Sequence, residues 1–349
     1  MSTLEYAWIT VNRQCNLRCK WCYAKSTEFS PKQNMTLKLA KELIDFCKQL
    51  NINEIALIGG EPTCFDGLEE LISYISNNNM ESWLITNGLK FNNISYLKKL
   101  IDAGLTGINF SLKGWSKESY IANTGVDVFE KTLSALQNVS SKNIKCKVSF
   151  VLNDENISHL IEVVNLAKKQ GANDFYFSFE HDFSILDGNF QDSYDLSKVS
   201  KLINGFSSIY KILNKITNGN FTLHQSFPIC MWDDNIISQL TANKQIYTSC
   251  SLLRRCGLTF DTDGSLIPCN AMYKVPIGKY RVDFNNPETF ISFWDSKEIT
   301  SIYNTFRRFP SLKCSNCSKS LTCGGGCISN WYHYSYDDLI KANLIKDEI

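Results

Sequence analysis

The feature that most constrains this chain is a run of three cysteines near its start, Cys15, Cys19 and Cys22. They follow the first apolar stretch, with three and then two residues between them. One short loop therefore brings three sulfurs together. Structural zinc sites usually draw their ligands as spaced pairs, and disulfides are uncommon in a large chain without a signal peptide. Iron–sulfur clusters are normally held by four thiolates. Three thiolates therefore indicate a cluster with one iron left for a ligand from outside the protein.

The order Cys-x3-Cys-x-aromatic-Cys, with Trp21 as the aromatic residue, resembles the motif of the radical S-adenosylmethionine (radical SAM) superfamily. In that family the open iron binds the amino and carboxylate groups of SAM. Reduction then gives methionine and a 5′-deoxyadenosyl radical that abstracts hydrogen from a substrate. The resemblance implies that Cys15, Cys19 and Cys22 ligate a 4Fe–4S cluster and that SAM is bound beside it. The cofactors would carry the chemistry, while the protein positions them and excludes water.

Length and charge narrow the class of protein further. At 349 residues the chain is long enough for one large core and a smaller module. Its 36 Lys and Arg against 35 Asp and Glu give a net charge of +1, which offers no reason to expect nucleic acid or an anionic membrane as partner. No signal peptide opens the chain, and no apolar run approaches the length of a membrane span. We therefore expect a soluble, cytoplasmic protein.

Short apolar runs alternate with helical patterns over roughly the first 215 residues. The candidate strands are Tyr6–Val11, Glu54–Ile58, Ser82–Thr86, Gly107–Leu112, Lys145–Leu152 and Asp174–Phe179. The candidate helices between and after them are Leu37–Leu50, Leu68–Asn77, Ile94–Ala103, Val128–Asn138, Leu160–Gln170 and Asp195–Leu213. Such alternation predicts a parallel sheet covered by helices, in a barrel or a doubly wound arrangement. The family resemblance implies a partial, six-unit β/α (TIM-like) barrel over residues 1–220.

Ligand sites in parallel β/α folds form where the strands end. The second strand is followed by Gly59, Gly60, Glu61 and Pro62. Two glycines allow backbone angles and close approaches that a Cβ forbids. The run resembles the family's Gly-Gly-Glu-Pro motif, which implies that it binds the amino group of SAM with Glu61 near the ammonium. A plain turn is the alternative.

Other strand ends carry single polar residues. Ser111 and Asn153 match positions where relatives contact the ribose and carboxylate of SAM. Glu180 and His181 follow the sixth strand and face either a substrate or solvent.

A second group of cysteines lies in the last hundred residues, at positions 250, 256, 269, 314, 317, 323 and 327. By spacing alone these thiols fit two zinc ribbons or Fe–S ligation. Together with the first motif they resemble the SPASM domain, which carries auxiliary clusters in many radical SAM enzymes. The resemblance assigns Cys250, Cys256, Cys269 and Cys327 to one 4Fe–4S cluster, and Cys314, Cys317 and Cys323 to a second. We predict a SPASM-like domain with a C-terminal helix over residues 250–349, joined to the barrel by a bridging segment at 221–249.

The second auxiliary cluster lacks an obvious fourth ligand, because no cysteine follows Cys327. Three explanations remain: an open or non-cysteine ligand, a contribution from Cys230, or no second cluster. Cys230 is also a candidate catalytic hydrogen donor, or a buried packing residue.

SPASM-type relatives mostly modify peptides, which makes post-translational epimerisation or crosslinking of a ribosomally made peptide the leading hypothesis. The expected partners are a peptide or protein substrate, a reductant such as flavodoxin or ferredoxin, and a separate leader-binding protein. One alternative is a radical SAM dehydrogenase of a small molecule such as a sugar or cyclitol. A non-enzymatic zinc or electron-carrier protein is the alternative from another class.

Overall fold

The computed structural model describes residues 4–181, 195–224, 226–247, 250–307 and 311–345. These residues form two compact units. Unit 1 comprises Met1–Val148, Gln170–Ala172 and Arg255–Ser301, and unit 2 comprises Ser149–Lys169, Asn173–Arg254 and Ile302–Ile349. Residues 225, 248 and 249 of the predicted bridging segment lie outside the described residues, and the predicted domain boundaries stay predictions.

Unit 1 is built on a largely parallel sheet. Its strands are β1 (Tyr6–Asn12), β2 (Glu54–Gly59), β3 (Glu81–Thr86), β4 (Gly107–Ser111), β9 (Gly257–Phe260), β10 (Ser265–Leu266) and β11 (Gly278–Lys279). They lie side by side in the order β11-β10-β9-β1-β2-β3-β4. Strands β9, β1, β2, β3 and β4 run parallel, whereas β10 pairs antiparallel with both β9 and β11.

The helices of unit 1 connect its strands. They are α1 (Leu37–Gln49), α2 (Leu68–Asn77), α3 (Ile94–Asp102), α4 (Lys117–Thr124), α5 (Phe129–Ser140) and α10 (Pro287–Trp294). Helix α1 begins where the hydroxyl of Thr36 accepts from the Leu39 amide, a standard N-cap. It buries Ala40, Leu43 and Cys47 at helical spacing. Phe46 of the same helix packs against an aromatic cluster formed by Phe260, Tyr280, Phe284 and Phe290.

Unit 2 contains three further parallel strands. Its strands β6 (Phe175–Phe179), β7 (Phe221–His224) and β8 (Ile246–Tyr247) are hydrogen-bonded in that order. Its helices are α6 (Leu160–Lys169), α7 (Leu196–Ile216), α8 (Asp234–Ala242), α9 (Ser251–Arg254), α12 (Ser320–Cys323) and α13 (Tyr336–Lys341). Aromatic side chains of β6, α7 and the 227–232 segment form its core: Phe179, Phe206, Phe227 and Trp232.

Two elements, β5 (Lys145–Leu152) and α11 (Lys297–Arg307), cross from one unit to the other along the chain. The predicted α/β class with a large parallel sheet is confirmed, and the six predicted strands lie within two residues of their observed bounds. The described helices include none long and apolar enough to pass through a lipid bilayer.

Candidate active site

The loop after β1 carries Cys15, Cys19 and Cys22 and is braced from within and from α4. The amides of Arg18 and Lys20 donate to carbonyl groups at the end of α4, over 2.9 Å and 3.0 Å. The Arg18 guanidinium donates to the carbonyl of Cys15 over 2.7 Å and lies 4.4 Å from the centre of the Phe29 ring. These contacts give the three thiols a fixed scaffold.

Electrostatics show that the three thiols influence one another. Burial, together with the charges of Glu61, Cys19 and Cys22, raises the pKa of Cys15 to about 12. The amide of Leu17 opposes this shift by donating to the Cys15 sulfur over 3.4 Å. Cysteine binds metals as the thiolate, so three mutually repelling, half-buried thiols fit a cationic iron centre better than they fit a proton on each sulfur.

Several groups near Cys22 favour the thiolate form of its side chain. Burial raises its pKa, while the amide of Ala24 and the charges of Lys113 and Lys25 act in the opposite direction. The sequence interpretation gave Lys113 no role, since its position after β4 does not reveal that its charge acts on the cysteine loop. The donor set and its amide and lysine surroundings fit a 4Fe–4S cluster with thiolate ligands.

The Gly59-Gly60 pair is explained by contact with the first strand. A Cβ on Gly59 would lie 2.6 Å from the Asn12 carbonyl oxygen, and one on Gly60 would lie 2.3 Å from that of Arg13. Neither glycine has a positive φ. The amides of Gly60 and Glu61 instead continue the parallel pairing, donating to the carbonyls of Asn12 and Gln14 over 2.9 Å and 2.8 Å. The glycines therefore hold the loop of Gly59 to Pro62 directly against the residues that precede Cys15.

Glu61 is buried, with 1% of its surface exposed. Its Oε1 accepts from the amide and hydroxyl of Thr63 and from the hydroxyl of Thr86, at 3.1, 2.7 and 2.6 Å. Its Oε2 accepts from the Asn87 amide at 2.8 Å. Protein donors thus surround this carboxylate, which ties the end of β2 to the end of β3. Its predicted place beside the SAM ammonium stays a prediction.

The end of β3 also reaches the cysteine loop. The Asn87 side-chain amide donates to the side-chain oxygen of Asn16 over 2.7 Å. Asn16 immediately follows Cys15 in the sequence. A continuous set of hydrogen bonds therefore runs from Glu61 through Asn87 to the loop that carries the three thiols.

Arg13 is a buried cation that sequence reasoning did not single out. Its side chain is 2% exposed, pairs with Asp261 after β9, and lies 4.6 Å from the centre of the Tyr273 ring. Burial raises the pKa of the neighbouring Tyr23, and Cys22 and Cys269 add to that shift while Arg13 opposes it. Cys269 is thus near the first cysteine loop within unit 1. The only sequence signal for Arg13 was a charged residue at the end of an apolar strand.

The remaining predicted residues fall in both units. Ser111 is half-buried at the end of β4 in unit 1. In unit 2, the Asn153 side-chain amide donates to the Glu180 carboxylate over 2.8 Å. His181 is held by Ser226 at 3.0 Å and Asn330 at 3.4 Å, and burial lowers its pKa to about 4. The neutral imidazole there links chain segments.

The second group of cysteines is divided between the units. Cys256 and Cys269 belong to unit 1, and unit 2 contains Cys230, Cys250, Cys314, Cys317, Cys323 and Cys327. Among the described residues, no three His, Cys, Asp or Glu side chains are grouped closely enough for a single metal ion. A four-iron cluster is larger than one ion, so its thiolates stand farther apart. The predicted ligand sets stay predictions.

Comparisons with known proteins found relatives in sequence and in structure. Residues 9–167 match the sequence model of the Radical SAM superfamily. A probable GTP 3′,8-cyclase of Saccharolobus islandicus is 28% identical over 217 residues, which is 61% of this chain and 68% of that protein. A GTP 3′,8-cyclase of Clostridium perfringens is 29% identical over 171 residues, 48% of this chain and 52% of that protein.

Solved structures resemble the fold over almost the whole chain. Streptococcus suis SuiB bound to its precursor peptide SuiA aligns with a TM-score of 0.72 at 18% identity, covering 95% of this chain and 73% of that one. Native anSMEcpe with bound AdoMet aligns with a TM-score of 0.67 at 18% identity, covering 97% and 98%. These likenesses confirm the predicted fold class.

Proposed function

The chain belongs to the radical SAM superfamily and is a radical SAM enzyme; from that premise we propose that it modifies a ribosomally made peptide. When bound, the cluster and SAM supply a 5′-deoxyadenosyl radical that removes a hydrogen atom from the substrate. Cys15, Cys19 and Cys22 would hold the cluster. The segment of Gly59, Gly60, Glu61 and Pro62 would bind the amino end of SAM, with Ser111 and Asn153 at its ribose and carboxylate.

The residues around these positions prepare the site. Glu61 fixes the β2 and β3 ends through its hydrogen bonds to Thr63, Thr86 and Asn87. Backbone carbonyls of this loop are then the groups left to meet a ligand ammonium. The charges of Lys113 and Lys25 favour the thiolate of Cys22. These residues bind and orient; the bond-breaking chemistry belongs to the cofactors.

Fold likeness to two peptide-bound structures supports the peptide as substrate class. The fold likeness to SuiB, crystallised with its precursor peptide, extends over 95% of this chain and so includes the cysteine-rich C-terminal region. The anSMEcpe structure with AdoMet and the Kp18Cys peptide aligns with a TM-score of 0.69 over 97% of the chain. A common fold does not fix a substrate, and the peptide is therefore our proposal.

The proposal has two versions. In epimerisation, Cys230 would return a hydrogen atom to the substrate radical. In crosslinking, the substrate radical would form the new bond and lose one proton to solvent and one electron to an oxidant such as an oxidised Fe–S cluster, so no donor thiol is required. Both versions need a low-potential reductant such as flavodoxin or ferredoxin, and a separate leader-binding protein is compatible with either. The surroundings of Cys230 favour crosslinking, because Cys230 lies beside three other thiols and a thiolate that ligates iron has no hydrogen atom to return.

A second candidate function is suggested by the curated relatives, whose name gives GTP as a substrate. A small-molecule reaction, on a nucleotide or on a sugar or cyclitol, would use the same first cluster and SAM. A nucleoside triphosphate requires cations to meet its phosphates. Arg13, buried near the cysteine loop, already pairs with Asp261. Lys25 and Lys113, whose charges act on Cys22, are the cations left to meet phosphates, so label transfer decides between GTP and a peptide.

Label transfer distinguishes the two candidates. The reduced, reconstituted enzyme would be incubated with SAM and, separately, with deuterated peptides encoded by small open reading frames beside its gene or with GTP deuterated at C3′. We expect deuterium in 5′-deoxyadenosine from a peptide only. Label from GTP alone would replace the peptide proposal with the nucleotide one.

The matched control is the variant with Cys15, Cys19 and Cys22 all changed to Ala. It should lose about four irons per chain, the content of one 4Fe–4S cluster, and form no 5′-deoxyadenosine. Unchanged SAM cleavage in this variant would contradict the assigned ligands. Zinc without iron in anaerobically purified protein would favour the non-enzymatic alternative.

A further inference from the structure

Three thiols in unit 2 lie on one compact stretch of chain. Cys314 lies in the turn Leu312–Asn316, Cys317 follows it, and Cys323 ends α12. The amide of Cys317 donates to the carbonyl of Cys314 over 3.2 Å, and the amide of Lys319 donates to the Cys317 sulfur over 3.4 Å. This stretch is a ready three-thiol loop that lacks a fourth ligand of its own.

A distant segment brings Cys230 to this loop. The amide of Ile229, the residue before Cys230, donates to the Cys323 sulfur over 3.3 Å. On one side, the amide of Cys327 donates to the carbonyl of Ser226 over 2.9 Å. On the other side, Lys319 pairs with Asp234 over 3.0 Å. Ser226 precedes Cys230 in the sequence and Asp234 follows it. The two contacts together fix the position of Cys230 beside the three-thiol loop.

The electrostatic surroundings of Cys230 agree with this geometry. Burial of its sulfur, together with the nearby Cys323, Cys314 and Cys317, raises the pKa of Cys230 to about 12. All three thiols of the loop are therefore near Cys230. The residue as a whole is exposed, whereas the other three are half-buried.

Cys327 belongs to a different environment. Its sulfur lies 3.1 Å from the hydroxyl of Ser329, and this hydroxyl opposes the rise in pKa that burial causes. The hydrogen-bonding partner of Cys327 therefore lies outside the three-thiol loop.

We propose that Cys230, Cys314, Cys317 and Cys323 are the four thiolates of one 4Fe–4S cluster in unit 2. Four thiolates complete the usual ligand set of such a cluster, so its irons have no open position for substrate. A sulfur bound to iron has no hydrogen atom to give, and Cys230 is then not the hydrogen donor of an epimerase. The inference concerns this chain's ligands and is independent of the substrate proposed above.

The test uses the full chain in the background with Cys15, Cys19 and Cys22 changed to Ala, so that only auxiliary clusters form. Anaerobically reconstituted and metal-free samples are alkylated with iodoacetamide, and each cysteine is followed by mass spectrometry. We expect alkylation of Cys230 to slow at least tenfold on reconstitution, together with Cys314, Cys317 and Cys323. Cys146 in β5 serves as control and should react equally in both samples. Alkylation of Cys230 at the metal-free rate would overturn the proposal.

Two variants in the same background identify the cluster that protects Cys230. Cys314→Ala should restore alkylation of Cys230, and continued protection there would contradict a shared cluster. Cys230→Ser, which keeps the side-chain size, should change the electron paramagnetic resonance spectrum of the reduced protein, whereas Cys146→Ser should not. A Cys230→Ser spectrum identical to that of the parent would overturn the proposal. Neither measurement uses SAM or a peptide.

Discussion

The hydroxyl of Thr86 donates a 2.6 Å hydrogen bond to the carboxylate of Glu61. This bond joins the end of β3 to the segment that follows β2, at the edge of the sheet where the cysteine loop also begins. Glu61 is buried and the described structure gives its carboxylate hydrogen-bond donors rather than a salt-bridge partner. Charge-assisted bonds of this kind are about twice as strong as neutral ones. The carboxylate is therefore a structural anchor of the candidate SAM site.

Replacing Glu61 with Gln should destabilise the fold by about 1–3 kcal/mol, the cost of leaving a buried hydrogen-bonding group unsatisfied. Both oxygens of Glu61 accept from donors, and a glutamine has only one oxygen, so one donor must face an NH2 group. Glu70→Gln is the matched control, because Glu70 is 58% exposed and pairs only with Lys41 among the ion pairs of the described residues. Its cost should stay below about 1 kcal/mol. Equal urea unfolding midpoints for the two variants would contradict the anchoring role.

Gly60→Ala should displace the cysteine loop. The added methyl would lie 2.3 Å from the carbonyl oxygen of Arg13 and 2.5 Å from that of Gln14. These are backbone atoms immediately before Cys15, so they yield only if the loop moves. After reconstitution and gel filtration, we expect the variant to hold about four irons per chain fewer than the parent enzyme. That difference is the content of one cluster.

The control for this variant is Gly205→Ala in α7. There the nearest atoms belong to the flexible side chain of Ile157, at 2.9 Å. Its iron content should equal that of the parent enzyme. If Gly60→Ala also keeps its full iron content and its SAM affinity, the close packing of the two segments has no bearing on the cluster.

Asp261→Asn should destabilise the chain by about 3–5 kcal/mol, because it leaves the Arg13 charge buried without its partner. Asp263→Asn offers a control two residues away. Asp263 pairs with Lys279, and both side chains are about half exposed, so this loss should cost less than about 1 kcal/mol. Urea unfolding of the two reconstituted variants measures the free energy of unfolding of each. Similar losses in both variants would show that the Arg13 pair stabilises the fold no more than a surface pair does.

The strands and helices of the first 215 residues could be predicted from the sequence because each carries its own periodicity. Leu43, Ile44 and Cys47 recur on one face of α1, for example, and all are fully buried. Strand β9 was not predicted. It is four residues long and pairs with β1 from about 250 residues away, and no local pattern encodes that partnership. The turn between β9 and β10 is encoded locally, because Asp263 precedes Gly264 and Gly264 has a φ of +81°.

The candidate site likewise combines residues that the sequence predicts with contacts that only the structure shows. The thiols of Cys15, Cys19 and Cys22 are readable because their spacing is local. The partners of Glu61 were not, although Thr86 and Asn87 stand at a recognised strand end, because the hydrogen bonds join residues about 25 positions apart. The glycines at 59 and 60 were predicted for ligand approach, whereas their observed contacts are with β1 and the residues after it. The neighbourhood of Cys230 spans 94 positions of sequence and required the structure.

His224 in β7 predicts how stability depends on pH. Burial, together with the nearby His181, lowers its pKa from the ordinary value of 6.5 to about 4. The unfolded chain therefore binds more protons between these values, so the contribution of His224 is fully present above pH 6.5 and is lost as the pH falls toward 4. Between pH 7.5 and 5.5, His224→Gln should lose about 1 kcal/mol less unfolding free energy than the parent does. His159→Gln is the control, because His159 pairs with Glu162 at the surface, and it should follow the parent. Urea unfolding at both pH values measures the difference, and parallel curves for all three proteins would show that His224 titrates alike in the folded and unfolded chain.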